Sequence, residues 1–360
     1  MQILFYVFIF ILGLLFGSFS SVLITRLKTG EKGIMNGRSH CPKCNHTLSF
    51  FDLCPVFSYI FRKGKCAYCS EKISIMYPVL ELVMGLFFLA SSYFLIDFSL
   101  ILSGNSSEII KLFFFLFITF ISVIIAVYDI IYLEIHDGII LTGIIVSLIF
   151  IILGTLNPDF NIINTLFYGT KPLDINIFSI LLGISILVLL YVIIFSGLKE
   201  IYDLIIIGLS ISSIIAFKYY FQIEIVSSIA IIGAIIGALG LFTFLYLQHI
   251  VGVFLHKIEK MKNVEEENYR FENGIIGAGD LRIAIFVGLL LGRFYTIVGG
   301  FLTYIIGSIV GIFVIILSIL KGKSATGLVV PFGPFLIVGL LFTLYFQSYI
   351  TELIQKFFSY

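Results

Sequence analysis

The chain is short of charge. Of its 360 residues, 12% are Asp, Glu, Lys or Arg, against 60% apolar, and the formal net charge is +1. No soluble core needs so apolar a composition, and no nucleic acid is expected as a partner. Strand-type alternation of apolar and polar residues is also lacking, which excludes a transmembrane barrel. Lys and Arg are missing before Arg26. A secretory signal would begin with positive charge and close on a small-residue cleavage site. The opening "MQILFYVFIFILGLLFGSF" is therefore expected to be a retained first helix.

What is present is a series of apolar runs, with a mean hydropathy of +1.14. Many reach the roughly 20 residues that cross a bilayer of about 30 Å. The fold expected is all-α and polytopic, with about 8–10 transmembrane helices, because only helices and closed barrels satisfy their backbones in lipid. Spans are predicted near 2–25, 77–98, 109–128, 139–155, 176–197, 201–217, 225–250, 281–293, 295–319 and 326–349. The spans at 201–217 and 281–293 are short, so tilted, re-entrant or protein-buried segments are open there.

The few charges are unevenly placed. Residues 26–75 hold nine Lys/Arg and three Asp/Glu. The positive-inside rule makes this loop cytoplasmic and the N-terminus external. Counting outward from it puts Lys199, Lys257, Lys260, Lys262, Lys321 and Lys323 in cytoplasmic connections, which agrees.

Cysteine is scarce and confined. The five are Cys41, Cys44, Cys54, Cys66 and Cys69. "CPKC" and "CAYC" are two C-x-x-C turns, each able to offer two thiolates to one ion. Together they suit a four-coordinate structural Zn²⁺. Disulfides rarely persist in the cytoplasm, and a loop poor in apolar residues would draw folding energy from the metal. Four thiolates leave no open position, so the zinc is expected to be structural rather than catalytic. His40 and His46 are read as solvated neighbours and Cys54 as a free thiol.

Carboxylates inside or beside apolar helices are costly. "AVYDIIYLEIHDGIIL" places Asp129 at the end of the third span and Asp137 at the start of the fourth. "NGIIGAGDLRIAIF" places Asp280 at the start of the eighth. The topology brings Asp129 and Asp280 to the same face at similar depth, as an aspartic protease requires. Gly277 and Gly279 are expected to permit close backbone approach and a positive φ before the helix. A helix cap is the ordinary role for one such Asp, and Asp137, Asp203 and Glu81 compete for a catalytic role.

Taken together, these segments resemble the type IV prepilin peptidases, membrane aspartic proteases with a GxGD motif. "GLLFGSFSSVLITRL" resembles the family's opening helix. The paired C-x-x-C turns have its arrangement. "CPVFSYIFRKGKCAYCSEKISIMYPVLELVMGLFF" resembles its exit into the second helix. "YDIIYLEIHD" and "GAGDLRIA" resemble its two Asp motifs, and "PFGPFLIVG" its last-helix signature. The resemblance covers about 1–150 and 274–340. It implies catalytic Asp129 and Asp280, supported by Gly277, Gly279 and Arg282, and metal ligands Cys41, Cys44, Cys66 and Cys69. His136 stands where the family has proline, Arg282 where it has lysine, and Cys54 where it has an apolar residue.

The division implied is a first helix at 1–25, a cytoplasmic zinc loop at 26–75, and helices carrying the first Asp at 76–154. An insertion at 155–225 follows, then helices carrying the GxGD Asp at 226–360. The implied activity is cleavage of prepilin or pseudopilin leaders after Gly, at the cytoplasmic face of the bacterial inner membrane. N-methylation of the new terminus with S-adenosylmethionine is implied by many family members, although no fingerprint for that cofactor is present. The partners implied are membrane-inserted prepilins and the lipid bilayer. Two other classes remain: a proton-coupled transporter, which leaves the zinc loop unexplained, and a non-catalytic assembly factor that docks through that loop.

Overall fold

A computed structural model describes residues 1–30, 39–41, 43–156, 230–261, 276–322 and 330–358. The spans expected at 176–197 and 201–217, and Asp203, lie outside the described residues. Among those described the chain is helical, with two isolated β-bridges as the only extended pairing. It divides into two compact units, Met1–Ile124 and Ile125–Tyr360. Among the described residues, six stretches are long and apolar enough to cross a membrane, or seven if a bent pair near the C-terminus is one span.

The first unit is built on α1 (Gln2–Thr29) and α3 (Met76–Leu95). Gly13 and Gly17 of α1 form a G-x-x-x-G pair. A Cβ on Gly13 would lie 2.7 Å from the Gly85 Cα, and one on Gly17 would lie 2.6 Å from the Glu81 Cα. Later residues of α1 thus face earlier residues of α3, so the helices run antiparallel with their backbones nearly touching. Such contact stabilises helices in lipid, where apolar burial gives no net drive. α1 stops at Gly30, whose left-handed φ of 69° closes the helix, with Arg26 and Lys28 in the last turn facing the negative end of the dipole. The connection to α3 holds a 3₁₀ turn at Phe50–Leu53 and the short helix α2 (Phe57–Phe61). After α3 come α4 (Phe98–Leu102) and α5 (Ser106–Tyr132). Within this unit, Ser91 Oγ and Thr119 Oγ1 share a buried hydrogen bond of 2.6 Å.

The second unit takes the end of α5 and then α6 (Asp137–Leu156), α7 (Ala230–Met261), α8 (Ala278–Leu320), α9 (Gly333–Tyr345) and α10 (Gln347–Phe358). α9 and α10 are bent by 74°. α8 has 43 residues, about 65 Å if straight, which is twice a bilayer. It is interrupted at Gly292, whose φ of 64° and ψ of −173° only glycine adopts readily. The chain reverses there. A Cβ on Gly299 would lie 2.5 Å from the Leu291 Cδ1. The charge of Asp280 also reaches Tyr304, although 24 residues of straight helix would separate them by about 36 Å. The two halves answer to the spans expected at 281–293 and 295–319. The first is short because protein, not lipid, surrounds it: Leu281, Ile283–Leu291 and Gly292 are all buried. α7 packs on it so closely that a Cβ on Gly237 would lie 2.5 Å from the Gly288 carbonyl oxygen.

Candidate active site and metal centre

Asp129 sits one turn before the end of α5 and is buried, with 5% of its surface exposed. Leu133 follows with a left-handed φ of 52°, and the loop reaches α6 at Asp137. His136, a departure from the proline of the resembled family, puts its ring 6.0 Å from that of Tyr128, and its carbonyl accepts the Ile139 N–H at 3.1 Å. The turn is thereby held without a proline.

Asp280 lies in the first turn of α8. Its Oδ2 accepts the Gly277 N–H at 3.3 Å, so the carboxylate reaches back to the residue that caps its own helix. The helix-cap role is therefore real, and it leaves Oδ1 without a hydrogen bond among the described residues. The turn before it is anchored by His249 of α7, whose Nδ1 donates to the Ile276 carbonyl at 2.7 Å.

Three stitches join the Asp280 turn to the segment around Asp129. Gly279 packs against Ile135, where a Cβ would fall 2.6 Å from the Ile135 Cδ1. Arg282 forms an ion pair with Asp137. Gly333, the first residue of α9, donates its N–H to Asp129 Oδ2 at 3.1 Å. A Cβ there would meet that same oxygen at 2.6 Å and the Ile283 Cδ1, one turn beyond Asp280, at 2.9 Å. Asp129 and Asp280 lie within electrostatic reach of each other. Each is at a helix N-terminus, Asp129 at that of α9 and Asp280 at that of α8, where the helix dipole favours negative charge.

The glycines differ in detail from expectation. Gly277 has φ −70° and ψ 151°, and Gly279 is not among the residues with positive φ. Gly279 serves close approach to Ile135, not a left-handed turn. The competing acids fall elsewhere. Asp137 is taken by Arg282. Glu81, buried in the first unit, accepts the Val56 N–H at 2.7 Å. That bond holds Val56 at φ 60°, a costly conformation for a β-branched residue.

Sequence reasoning missed four residues around this site. They are Gly333, His249, and the pair in which Tyr304 Oη donates to Gln248 Oε1 at 2.8 Å. The "PFGP" punctuation could have singled out Gly333. Nothing in the sequence marks the other three beyond being polar in apolar helices.

In the loop of the first unit, one ligand atom each from Cys41, Cys44, Cys66 and Cys69 lie within 4.8 Å of one another. Cys41 Sγ and Cys69 Sγ are 3.9 Å apart. A tetrahedron with Zn–S of about 2.3 Å has edges of about 3.8 Å, so the donor set and its size fit one zinc. Each C-x-x-C is a tight turn, with Asn45 N–H on the Cys41 carbonyl at 2.9 Å and Ser70 N–H on the Cys66 carbonyl at 3.0 Å. Backbone N–H groups of Cys44 and Lys43 outweigh burial and bring the Cys41 thiol down to about 6. Cys69 goes the other way. Its backbone bond at Glu71 is outweighed by burial and by the neighbouring thiols, which push it up to about 12. Without metal, the cluster holds protons that zinc would displace. Cys54 and His40 stay outside the cluster, and the His46 ring lies on Tyr68 at 3.6 Å. Asp52 ties the two turns together. It accepts the Ser49 N–H at 2.8 Å, the Ser49 hydroxyl at 2.7 Å and the Tyr68 hydroxyl at 3.0 Å, and it pairs with Arg62. Burial alone would raise its carboxyl, but these partners hold it below the usual carboxylate range.

Fold and loop define a polytopic helical membrane protein with a four-thiolate knot between its first two long helices. Residues 11–95 match the bacterial peptidase A24 N-terminal domain. The chain is 41% identical over 87 residues to the prepilin leader peptidase/N-methyltransferase of Myxococcus xanthus, covering 24% of this chain and 26% of that protein. It is 34% identical over 133 residues to the protein of the same name from Vibrio cholerae serotype O1, covering 29% and 53%. For that of Bacillus subtilis the figures are 42% over 83 residues, covering 23% and 33%. The family these similarities support is that of the type IV prepilin peptidases. The chain spans between 26% and 53% of the length of these three relatives. The domain match ends before Asp129 and Asp280. No solved structure matches.

Proposed function

We propose that this chain is a membrane aspartic endopeptidase that removes the leader of type IV prepilins or pseudopilins after Gly, at the cytoplasmic face of a bacterial inner membrane. The observation that carries this reading is the approach of Asp129 to Asp280. Two carboxylates remote in sequence, at the end of α5 and the start of α8, lie within electrostatic reach of each other, each accepting one backbone N–H. In the catalytic pair the two carboxylates share one proton, because both cannot be charged at little cost. The ionised partner takes a proton from water as it attacks the scissile carbonyl, and the protonated partner donates toward the carbonyl oxygen. Roles then exchange as the amine leaves. Gly279 lets Ile135 pack against the Asp280 turn, and the Gly277 N–H orients the Asp280 carboxylate. Arg282 holds the turn by its pair with Asp137.

Cys41, Cys44, Cys66 and Cys69 would hold a structural zinc that fixes the first loop and takes no part in hydrolysis. N-methylation of the new amine is a second activity of this proposal. It rests on the names of the relatives. Co-expression with a prepilin carrying a basic leader, a Gly and a following Phe tests the reading. A shortened product whose N-terminal mass starts at that Phe is expected, with a further methyl mass if the second activity is present. An uncleaved prepilin beside a correctly inserted enzyme overturns it.

A further inference from the structure

The four-cysteine loop presents large apolar side chains to the outside. Phe50, Phe51 and Phe61 are 81%, 80% and 82% exposed, and Phe57 and Ile60 are also exposed. Phe57, Ile60 and Phe61 are spaced i, i+3 and i+4, on one side of α2. The 3₁₀ turn carrying Phe50 and Phe51 touches α2. A soluble knot would not keep such a face. Directly after it come Lys63 and Lys65, both exposed, while the charge of Arg62 is taken by Asp52.

The loop's position says what covers this face. Both its ends are bonded to membrane helices, α1 and α3. The antiparallel register set by Gly13 with Gly85 and Gly17 with Glu81 brings the start of α3 level with about Val22 of α1. α1 therefore overhangs by about seven residues, roughly 10 Å, carrying Arg26 and Lys28 with it. The Val56 N–H on Glu81 Oε2 brings the start of α2 back beside the second turn of α3. Ile75, Met76 and Tyr77, where the loop re-enters, are themselves exposed apolar residues continuous with the lipid-facing side of α3.

We infer that the 3₁₀ turn and α2, residues 50–61, are an interfacial anchor: Phe50, Phe51, Phe57, Ile60 and Phe61 insert into the headgroup–acyl boundary of the bilayer, with Lys63 and Lys65 on anionic headgroups. Aromatic side chains on one side of a short element, beside lysines, are the combination that lies in the membrane plane. The metal knot then acts as a rigid mount that aims this surface at the lipid. The inference does not depend on the proposed peptidase activity.

The chain has no tryptophan, so one substitution introduces a unique probe. Full-length F51W and F61W are reconstituted in nanodiscs of phosphatidylcholine with phosphatidylglycerol, and separately of phosphatidylcholine alone. F8W, on an exposed stretch of α1, is the lipid-embedded reference. Blue-shifted emission and quenching by phosphatidylcholine brominated high on the acyl chain are expected for both loop probes. Quenching should weaken in neutral lipid and in the background of K63E with K65E. Emission as red as in water, with strong iodide quenching while F8W is quenched by bromolipid, overturns the inference. Shielding from iodide without bromolipid quenching, or shielding that appears only when a prepilin is added, means protein covers the face and also overturns it.

Discussion

The amide of Gly333 donates to Asp129 Oδ2 at 3.1 Å, from a position 204 residues further along the chain. One N–H at the start of α9 fixes the orientation of a buried carboxylate at the end of α5. Glycine is needed, because a Cβ would sit 2.6 Å from the oxygen it orients. G333A should therefore displace Asp129 or tilt α9. A misplacement near 1 Å costs on the order of 100-fold in rate. Leader processing should fall by about that factor while the protein still inserts, and a variant processing at the native rate would show that Asp129 does not depend on this contact.

The carboxylate pair gives the sharpest mutational contrast. D129N and D280N should each reduce cleavage by roughly 10⁴-fold or more, because members of a catalytic unit are not partially dispensable. Asn keeps the size and an acceptor oxygen, so the bonds from Gly333 and Gly277 can persist. Full processing by either variant, measured by product mass, removes that aspartate from the mechanism. Glu81 serves Val56, so E81Q should leave the chemistry intact and loosen the loop at Val56, read as faster proteolysis near residue 56.

Arg282 and Asp137 are argued to position, not to react. D137N removes one partner of a largely buried pair, for which a loss of at least about tenfold, equal to roughly 1.4 kcal/mol, is expected. The charge left without this partner is that of Arg282, whose side chain is 13% exposed, so tenfold is the lower bound of the loss. Reversing both charges, D137R with R282D, should recover part of the loss in kcat without changing KM. A double variant no better than the product of the two single losses would mean the residues act independently.

Much of this was legible in the sequence because lipid imposes simple rules. Apolar run length gave α1, α3, α5 and α6 to within a few residues, and the C-x-x-C pairs announced a four-sulfur cluster. The turn at Gly292 was readable too, since two runs flank "LLGRF" where one helix would be too long. Other features lie in tertiary contact. Nothing local says that Gly279 faces Ile135, or that Gly277 keeps a negative φ. The expected left-handed turn failed because the helix starts directly from an extended residue, so no reversal is needed. Gly333 was visible as punctuation, but its partner is found only by folding the chain. His249 carries no local signal, because its role is a bond to the carbonyl of Ile276, 27 residues away.

The last prediction concerns the metal. Two C-x-x-C turns closing one tetrahedron should give about one zinc per chain. C41S and C66S should lower that content and open the loop to proteolysis, while C54S should keep both native, because Cys54 is outside the cluster. Equal zinc loss in C54S would overturn the assignment. Chelation should have the same effect as C41S, and re-addition of zinc should restore resistance. The pH dependence follows from the thiols. Zinc takes thiolates, so each proton still on sulfur opposes uptake. Cys41 is brought down to about 6 in the metal-free cluster, so its thiolate is present above that pH and lost as pH falls through it. Cys69, pushed up to about 12, is protonated throughout the neutral range and must release its proton to the medium as zinc binds. Uptake by the metal-free protein should accordingly release protons at neutral pH and weaken as pH falls through the neutral range, more steeply below about 6, where Cys41 is also protonated. Isothermal titration in buffers of different ionisation enthalpy measures that release, and a binding enthalpy independent of the buffer would mean the sulfurs are already thiolates before the metal arrives.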